Sequence, residues 1–182
     1  HDPHFAAMAR QVIDAGGTRQ APYAGMPTLL DVPFRPVDWT GPDLTGLDVA
    51  MIGVPMDLGI TNRNGCRFGP RAIRAMERVG PYNHVLRTMP ARELAVADVG
   101  DIPFRSRFDL AGSHEDIEAT IGKIVAAGVI PLSVGGDHSI TWPAASAVAD
   151  YHGYGNVGIV HFDAHADTAD EIEGNLASHG TP

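Results

Sequence analysis

Three side chains that can bind a metal lie close together near the end of this chain. Asp163, His165 and Asp167 occupy alternate positions directly after an apolar run. Alternate residues of an extended backbone point to the same side, so two carboxylates and one imidazole can converge there. Such a ligand mixture suits Mn²⁺, Zn²⁺, Fe²⁺ or Ni²⁺, and a carboxylate can bridge two ions. The spacing therefore favours a metal site, although an acid-rich turn can also simply end a strand in solvent.

A second segment of interest, Gly135 to Ser139, also follows an apolar run. Its two glycines allow close backbone approach, and His138 can point into the same crevice as the acidic segment. Taken singly, His138 favours a hydrogen-bonded structural histidine, and the pairing of the two segments reverses that preference. Asp137 can either orient His138 or accept backbone N–H groups. His161 can either hold a metal ligand in place without binding the metal itself or pack in the core.

Apolar runs and helical spacing predict the elements that must hold these residues. The apolar runs predict strands over residues 49–54, 94–99, 129–134 and 157–162. Helical spacing predicts helices over residues 5–13, 113–128 and 139–151, and another helix is predicted to start at residue 69. Ser113 with Asp116 resembles a capping box at the start of the clearest helix. Apolar strands separated by helices indicate an α/β fold with a parallel sheet covered on both faces. Ligands bind beyond the carboxyl ends of such strands, where both segments lie.

Composition excludes several functional classes. The chain has 182 residues and a formal net charge of −9, and it lacks the clustered Lys and Arg that phosphate contacts require, so we expect no nucleic-acid partner. No apolar run approaches the roughly 20 residues that span a bilayer, so we expect no membrane association and a cytoplasmic location. Cys66 is the only cysteine and is predicted to be a small buried residue. Residues 1–46 are rich in Pro and Gly and are predicted to form an N-terminal arm or cover.

Four motifs between residues 47 and 182 resemble those of the ureohydrolases, the arginase and agmatinase family. They are GGDHS at 135–139, DAHAD at 163–167, a stretch from Arg63 to Arg74 similar to RxGxRxGPxxIR, and SHGTP at 178–182, which is agmatinase-like. The resemblance implies a three-layer α/β/α arginase-like fold with a central, mainly parallel sheet. Residues 47–182 would then form the N-terminal half of the catalytic domain. The family's SxDxDxxDP motif, which supplies two more carboxylates, has no match in this sequence, so we expect a chain truncated before the last metal-binding motif.

The resemblance also implies roles for individual residues. His138 would bind the first of two divalent metals, His165 the second, Asp163 would bridge both, and Asp167 would complete the first set. The metals would be Mn²⁺ or, in some members, Ni²⁺. His179 matches the family histidine that contacts substrate or transfers a proton, while Arg63, Arg67 and Arg74 are interpreted as structural.

The activity that the resemblance implies is hydrolysis of a guanidino compound to urea and an amine. A guanidinium carbon is a poor electrophile, and a metal-bridged water of lowered pKa can attack it as hydroxide. The small cationic substrate would be agmatine, guanidinobutyrate, guanidinopropionate or a smaller guanidine. We expect a homo-oligomer, a trimer or hexamer. A non-catalytic ureohydrolase-like subunit of a hetero-oligomer is the alternative, and the GGDHS and SHGTP pair argues against a deacetylase on the same fold.

Overall fold

The computed structural model describes residues 2–14, 24–76 and 82–182. Within these residues a three-stranded parallel sheet is flanked by helices, which confirms the predicted α/β class. The strands are β1 (Val49–Val54), β2 (Val96–Asp101) and β3 (Ile130–Gly135). The α-helices are α1 (Pro3–Asp14), α2 (Gly69–Arg74), α3 (Pro90–Glu93), α4 (Leu110–Ala126) and α5 (Thr141–His152).

β1 lies at the centre of the sheet, in the order β2-β1-β3, and pairs in parallel with both neighbours. All six of its residues are buried because its two faces pack against different layers. Ala50, Ile52 and Val54 join the main core with apolar residues of α4 and α5, whereas Val49 and Met51 pack against residues 29 and 32. A continuous apolar run without polar alternation is therefore what this strand needs.

The segment before β1 contributes to the second layer. Leu29 is fully buried, and its backbone N–H donates to the carboxylate of Asp98 on β2 at 2.8 Å. The predicted helix near the N-terminus lies within α1. Residues 15–23 lie outside the described part of the chain, and the predicted domain boundary at residue 46 stays a prediction.

α4 begins earlier than the capping-box pattern indicated. Its N-cap is Asp109, whose side chain accepts a hydrogen bond from Gly112 N at 3.1 Å. Ser113 lies inside the helix and donates its hydroxyl to Asp109 O at 2.7 Å. Asp116 accepts from Arg105 instead of the helix start. The prediction that Ser113 caps this helix is thus wrong, because the side chain of Asp109 already accepts from a free N–H group of the first turn.

The predicted strand over residues 157–162 does not form. These residues have no strand pairing, and Phe162 is 93% exposed. A strand needs a neighbour for its backbone groups, and among the described residues β3 pairs only with β1. The strand prediction for residues 157–162 is therefore wrong, because an apolar run forms a strand only when its backbone pairs, and this segment does not pair with the free edge of β3.

No helix within the described ranges combines the length and apolar character needed to cross a bilayer.

Candidate metal centre

His138 follows β3 in a loop that is pressed against the end of β1. Gly136 N and Asp137 N donate to the carbonyls of Val54 and Met56, at 3.3 and 3.0 Å. A Cβ at Gly136 would lie 2.3 Å from Met56 O, so a side chain at this position would push the loop away. The glycine that the sequence suggested for close approach is needed for that reason.

The ring of His138 has one nitrogen in use and one without a partner. Nδ1 lies 3.0 Å from the hydroxyl of Thr141, at the start of α5. Nε2 is buried and has no hydrogen bond to any described residue, although Asp167 Oδ2 lies 3.5 Å away. A buried nitrogen without a hydrogen bond carries a desolvation cost, which a bound ligand would remove.

Four potential ligands converge around this nitrogen. His138, His161, Asp163 and Asp167 each offer one ligand atom, and these atoms all lie within 4.8 Å of one another. The ring of His161 stacks on His138 with centroids 5.1 Å apart, and its Nε2 lies 3.4 Å from Asp163 Oδ2. The alternation of His161 with Asp163 along the chain was the sequence signal for this placement.

His165 lies at the edge of the group and not within it. Its side chain is 81% exposed, and Nδ1 lies 3.7 Å from Asp163 Oδ1. Its backbone N–H donates to Asp163 Oδ1 at 2.9 Å. That hydrogen bond, together with one from the backbone N–H of Ala164, holds the pKa of the Asp163 carboxyl below its ordinary value. A carboxylate kept ionised is ready to bind a cation.

A cavity of about 680 Å³ connects the predicted site residues. His138, Asp163, His165, Asp167 and His179 all line it. The structure therefore places every predicted metal ligand and the predicted catalytic histidine around one space.

The structure also resolves several lesser predictions. Arg67 pairs with the buried Asp57, and Arg74 pairs with Asp98 and Asp101, which confirms their structural interpretation. The surroundings of Arg63 are different, because it lines a second cavity of about 330 Å³ beside His138 and His179. Cys66 is exposed, so its assignment to the core is wrong.

Two groups that contact the site residues were not predicted from the sequence. The hydroxyl of Thr141 contacts His138, and the carbonyl of Gly59 accepts from both the backbone N–H and the ring Nδ1 of His179, at 3.0 and 2.9 Å. A main-chain carbonyl leaves no signal in residue type, and a threonine at the start of a helix suggests only capping.

The donor set fits a divalent metal. Two imidazoles and two carboxylates combine nitrogen and hard oxygen ligands, which is the chemistry of Mn²⁺, Ni²⁺, Zn²⁺ and Fe²⁺ sites. The unpartnered His138 Nε2 lies beside this group, 3.5 Å from Asp167 Oδ2.

Comparison with known proteins agrees with this chemistry. A model of the arginase family matches residues 47–182. A mitochondrial agmatinase of Gallus gallus is 49% identical over 138 residues, covering 75% of this chain and 40% of its own length. A guanidinobutyrase of Pseudomonas aeruginosa is 40% identical over 167 residues, covering 91% of this chain and 50% of its own.

A solved structure of similar fold is the proclavaminate amidino hydrolase of Streptomyces clavuligerus. It has a TM-score of 0.77 and 32% identity over 90% of this chain and 52% of its own. The chain thus spans about half the length of the proteins that it matches. With the family model covering residues 47–182 and the parallel α/β fold shared, the chain belongs to the arginase family.

Proposed function

We propose that this chain forms part of a hydrolase that converts a guanidino compound to urea and an amine. The observation that carries the proposal is the convergence of His138, Asp163 and Asp167 around one cavity that His179 also lines. The names of the relatives, agmatinase, guanidinobutyrase and amidino hydrolase, support the same reaction class.

His138, Asp163, His165 and Asp167 are the residues that would hold two divalent metal ions. When bound, divalent metals would lower the pKa of a water, so that hydroxide is available at neutral pH, and would stabilise developing negative charge. Mn²⁺ is the proposed ion and Ni²⁺ the second candidate. Both ions accept this ligand mixture.

The chain's own residues perform the remaining tasks. Asp163 and Asp167 would offset part of the positive charge that bound divalent metals bring to the site. His179 is the proposed group that contacts substrate or hands a proton to the departing amine. It lines both cavities, and its ring is fixed through Nδ1.

The substrate is proposed as agmatine, guanidinobutyrate, guanidinopropionate or a smaller guanidine. We propose a homo-oligomer as the working assembly, a trimer or hexamer.

The test is urea release by the full-length protein, loaded separately with Mn²⁺ and Ni²⁺, from this panel of compounds. We expect urea from one substrate, its loss in Asp163→Asn, and its retention in His152→Ala. His152 is a matched control because it is an exposed histidine in the last turn of α5, outside the residues that line the cavity. No urea from any compound, despite two bound metals, would overturn the proposal and favour a non-catalytic subunit of a hetero-oligomer.

A further inference from the structure

Asp137 is a buried carboxylate whose hydrogen bonds point away from its neighbour His138. It is 4% exposed, and its two oxygens accept from main-chain N–H groups, Oδ1 from Ser139 N at 2.8 Å and Oδ2 from Gly59 N at 2.9 Å. The ring of His138 bonds Thr141 instead. Burying a carboxylate is costly unless it is hydrogen-bonded, and one of these two hydrogen bonds ties Asp137 to the backbone N–H of Gly59.

Gly59 also forms hydrogen bonds with His179. Gly59 O accepts from His179 N at 3.0 Å and lies 2.9 Å from His179 Nδ1. A carbonyl can only accept, so Nδ1 must carry the proton of this contact. In the neutral ring Nε2 then has the free lone pair.

The space around Gly59 shows how closely these groups fit. A Cβ at residue 59 would lie 2.5 Å from Ser139 Oγ and 3.0 Å from Asp137 Oδ1. A side chain at residue 59 would push the backbone of this residue away from Asp137 and Ser139. The contact therefore depends on both the glycine and the carboxylate.

We propose that Asp137 is a positioning residue for His179. By holding Gly59 through its backbone N–H, Asp137 keeps the carbonyl of the same residue against His179 Nδ1 and leaves Nε2 as the ring atom that can exchange a proton with substrate. The inference rests on the proposed function only for what Nε2 does, because the hydrogen-bonded path from Asp137 to His179 is independent of the reaction.

The test reads the tautomer of His179 directly. The full-length, metal-free protein is labelled with ¹⁵N at the histidine rings, two-bond ¹H–¹⁵N spectra are recorded above the titration range, and His179→Gln assigns the signal. We expect the Nδ1–H form in the unmodified protein and a mixture rich in Nε2–H in Asp137→Asn. Ser139→Ala is the matched control, because it removes a neighbouring hydroxyl but keeps the backbone N–H that Asp137 accepts.

Kinetics provide a second measurement that a purely structural role would not move selectively. Asp137→Asn should lower kcat by about tenfold or more with KM changed by less than about threefold, since misplacement of a proton-transfer group acts mainly on the chemical step.

Two results would overturn the inference. One is an Nε2–H tautomer of His179 in the unmodified protein, and the other is an unchanged Nδ1–H signal in a folded Asp137→Asn variant. If that variant does not fold, Gly59→Ala decides the matter from the other side of the contact, and an unchanged tautomer there counts against us. A correct tautomer response without any urea release would instead overturn the proposed function and leave this inference standing.

Discussion

At the scale of single residues, the two histidines flanking Asp163 have different surroundings. His161 is stacked on His138, whereas His165 projects from the cavity wall with its ring mostly in solvent. The alternation of acid and imidazole along residues 163–167 favours His165 as a ligand. The position of His161 favours a role in holding Asp163 and His138.

These positions predict different metal-binding defects. His165→Ala should reduce the metal content of the full-length protein from two ions to one, because a ligand is lost. His161→Ala should keep two ions with affinity weakened by about tenfold, as is typical for residues that orient ligands. Elemental analysis and titration calorimetry measure both values. Loss of an ion in His161→Ala with full content in His165→Ala would reverse the assignment.

Gly136 offers a prediction about close backbone approach. Gly136→Ala should reduce metal affinity and destabilise the fold by about 1–3 kcal/mol, because the new Cβ would meet the Met56 carbonyl at 2.3 Å. Gly122→Ala is the control: it lies within α4 with open space around its Cβ position and should stabilise the protein by about 0.5–1 kcal/mol. Urea unfolding measures the two free energies, and an equal effect of both substitutions would contradict the steric argument.

At the scale of elements, an ion pair connects helix α2 to the outer strand β2. Arg74 of α2 donates to Asp98 of β2 at 2.8 and 2.9 Å, and Leu29 N donates to the same carboxylate. Burial would raise the pKa of Asp98, but the hydrogen bonds from Arg74, Leu29 and Gly100 outweigh it and the pKa is lowered. One carboxylate thus connects a helix, a strand and the N-terminal segment.

The lowered pKa gives the pH dependence its sign. Stability from Asp98 is fully present above its unfolded pKa of about 3.9 and is lost as pH falls through the lower folded value. Asp98→Asn should cost about 3–5 kcal/mol at pH 7, because Arg74 loses a buried partner, and should flatten the loss of stability below about pH 5. Urea unfolding at pH 7 and at about pH 3 measures this. Asp43→Asn, which alters an exposed pair with Arg35, should cost at most about 1 kcal/mol. Comparable losses in the two variants at pH 7 would refute the role of burial.

The start of α4 provides a test of local capping. Asp109→Ala should cost about 1 kcal/mol, because the N–H of Gly112 loses its acceptor. Asp109→Ser restores a capping oxygen and should recover most of that loss. Denaturant midpoints with unchanged m-values would measure the difference, and a neutral Asp109→Ala would show that the cap contributes nothing.

The same elements show how far the sequence could predict the structure. β1 and α4 follow from an apolar run and a helical repeat, because each pattern matches its own buried surface. The Asp109 cap was missed since Ser113 offered a similar pattern four residues later. The site residues were found because Asp and His side chains at alternate positions are typical of metal ligands, whereas the Gly59 carbonyl leaves no signal in residue type.

At the scale of the whole molecule, apolar side chains are exposed on the outer strand β3 and in the segment that follows α5. Ile130 and Leu132 of β3 are exposed, as are Ile159, Val160 and Phe162, which form no strand. Strands of parallel sheets are normally covered on both faces, and an exposed apolar surface marks a site of association. The chain spans about half the length of the relatives that it matches.

This surface predicts how residues 1–182 behave alone. They should bind a hydrophobic dye and associate in solution, and Val160→Lys combined with Phe162→Ser should reduce both effects. The thermal midpoint should change little, because these side chains are 81% and 93% exposed and lose almost no packing. Phe108→Ser is the matched control: Phe108 is 88% exposed in a loop beside Arg107, before α4 in the chain. Dye fluorescence and light scattering measure the response. An equal response in the control would show that exposure of any aromatic side chain, and not the apolar segment that contains Val160 and Phe162, drives association, because an isolated aromatic side chain offers a partner less contiguous area than a run of exposed apolar residues.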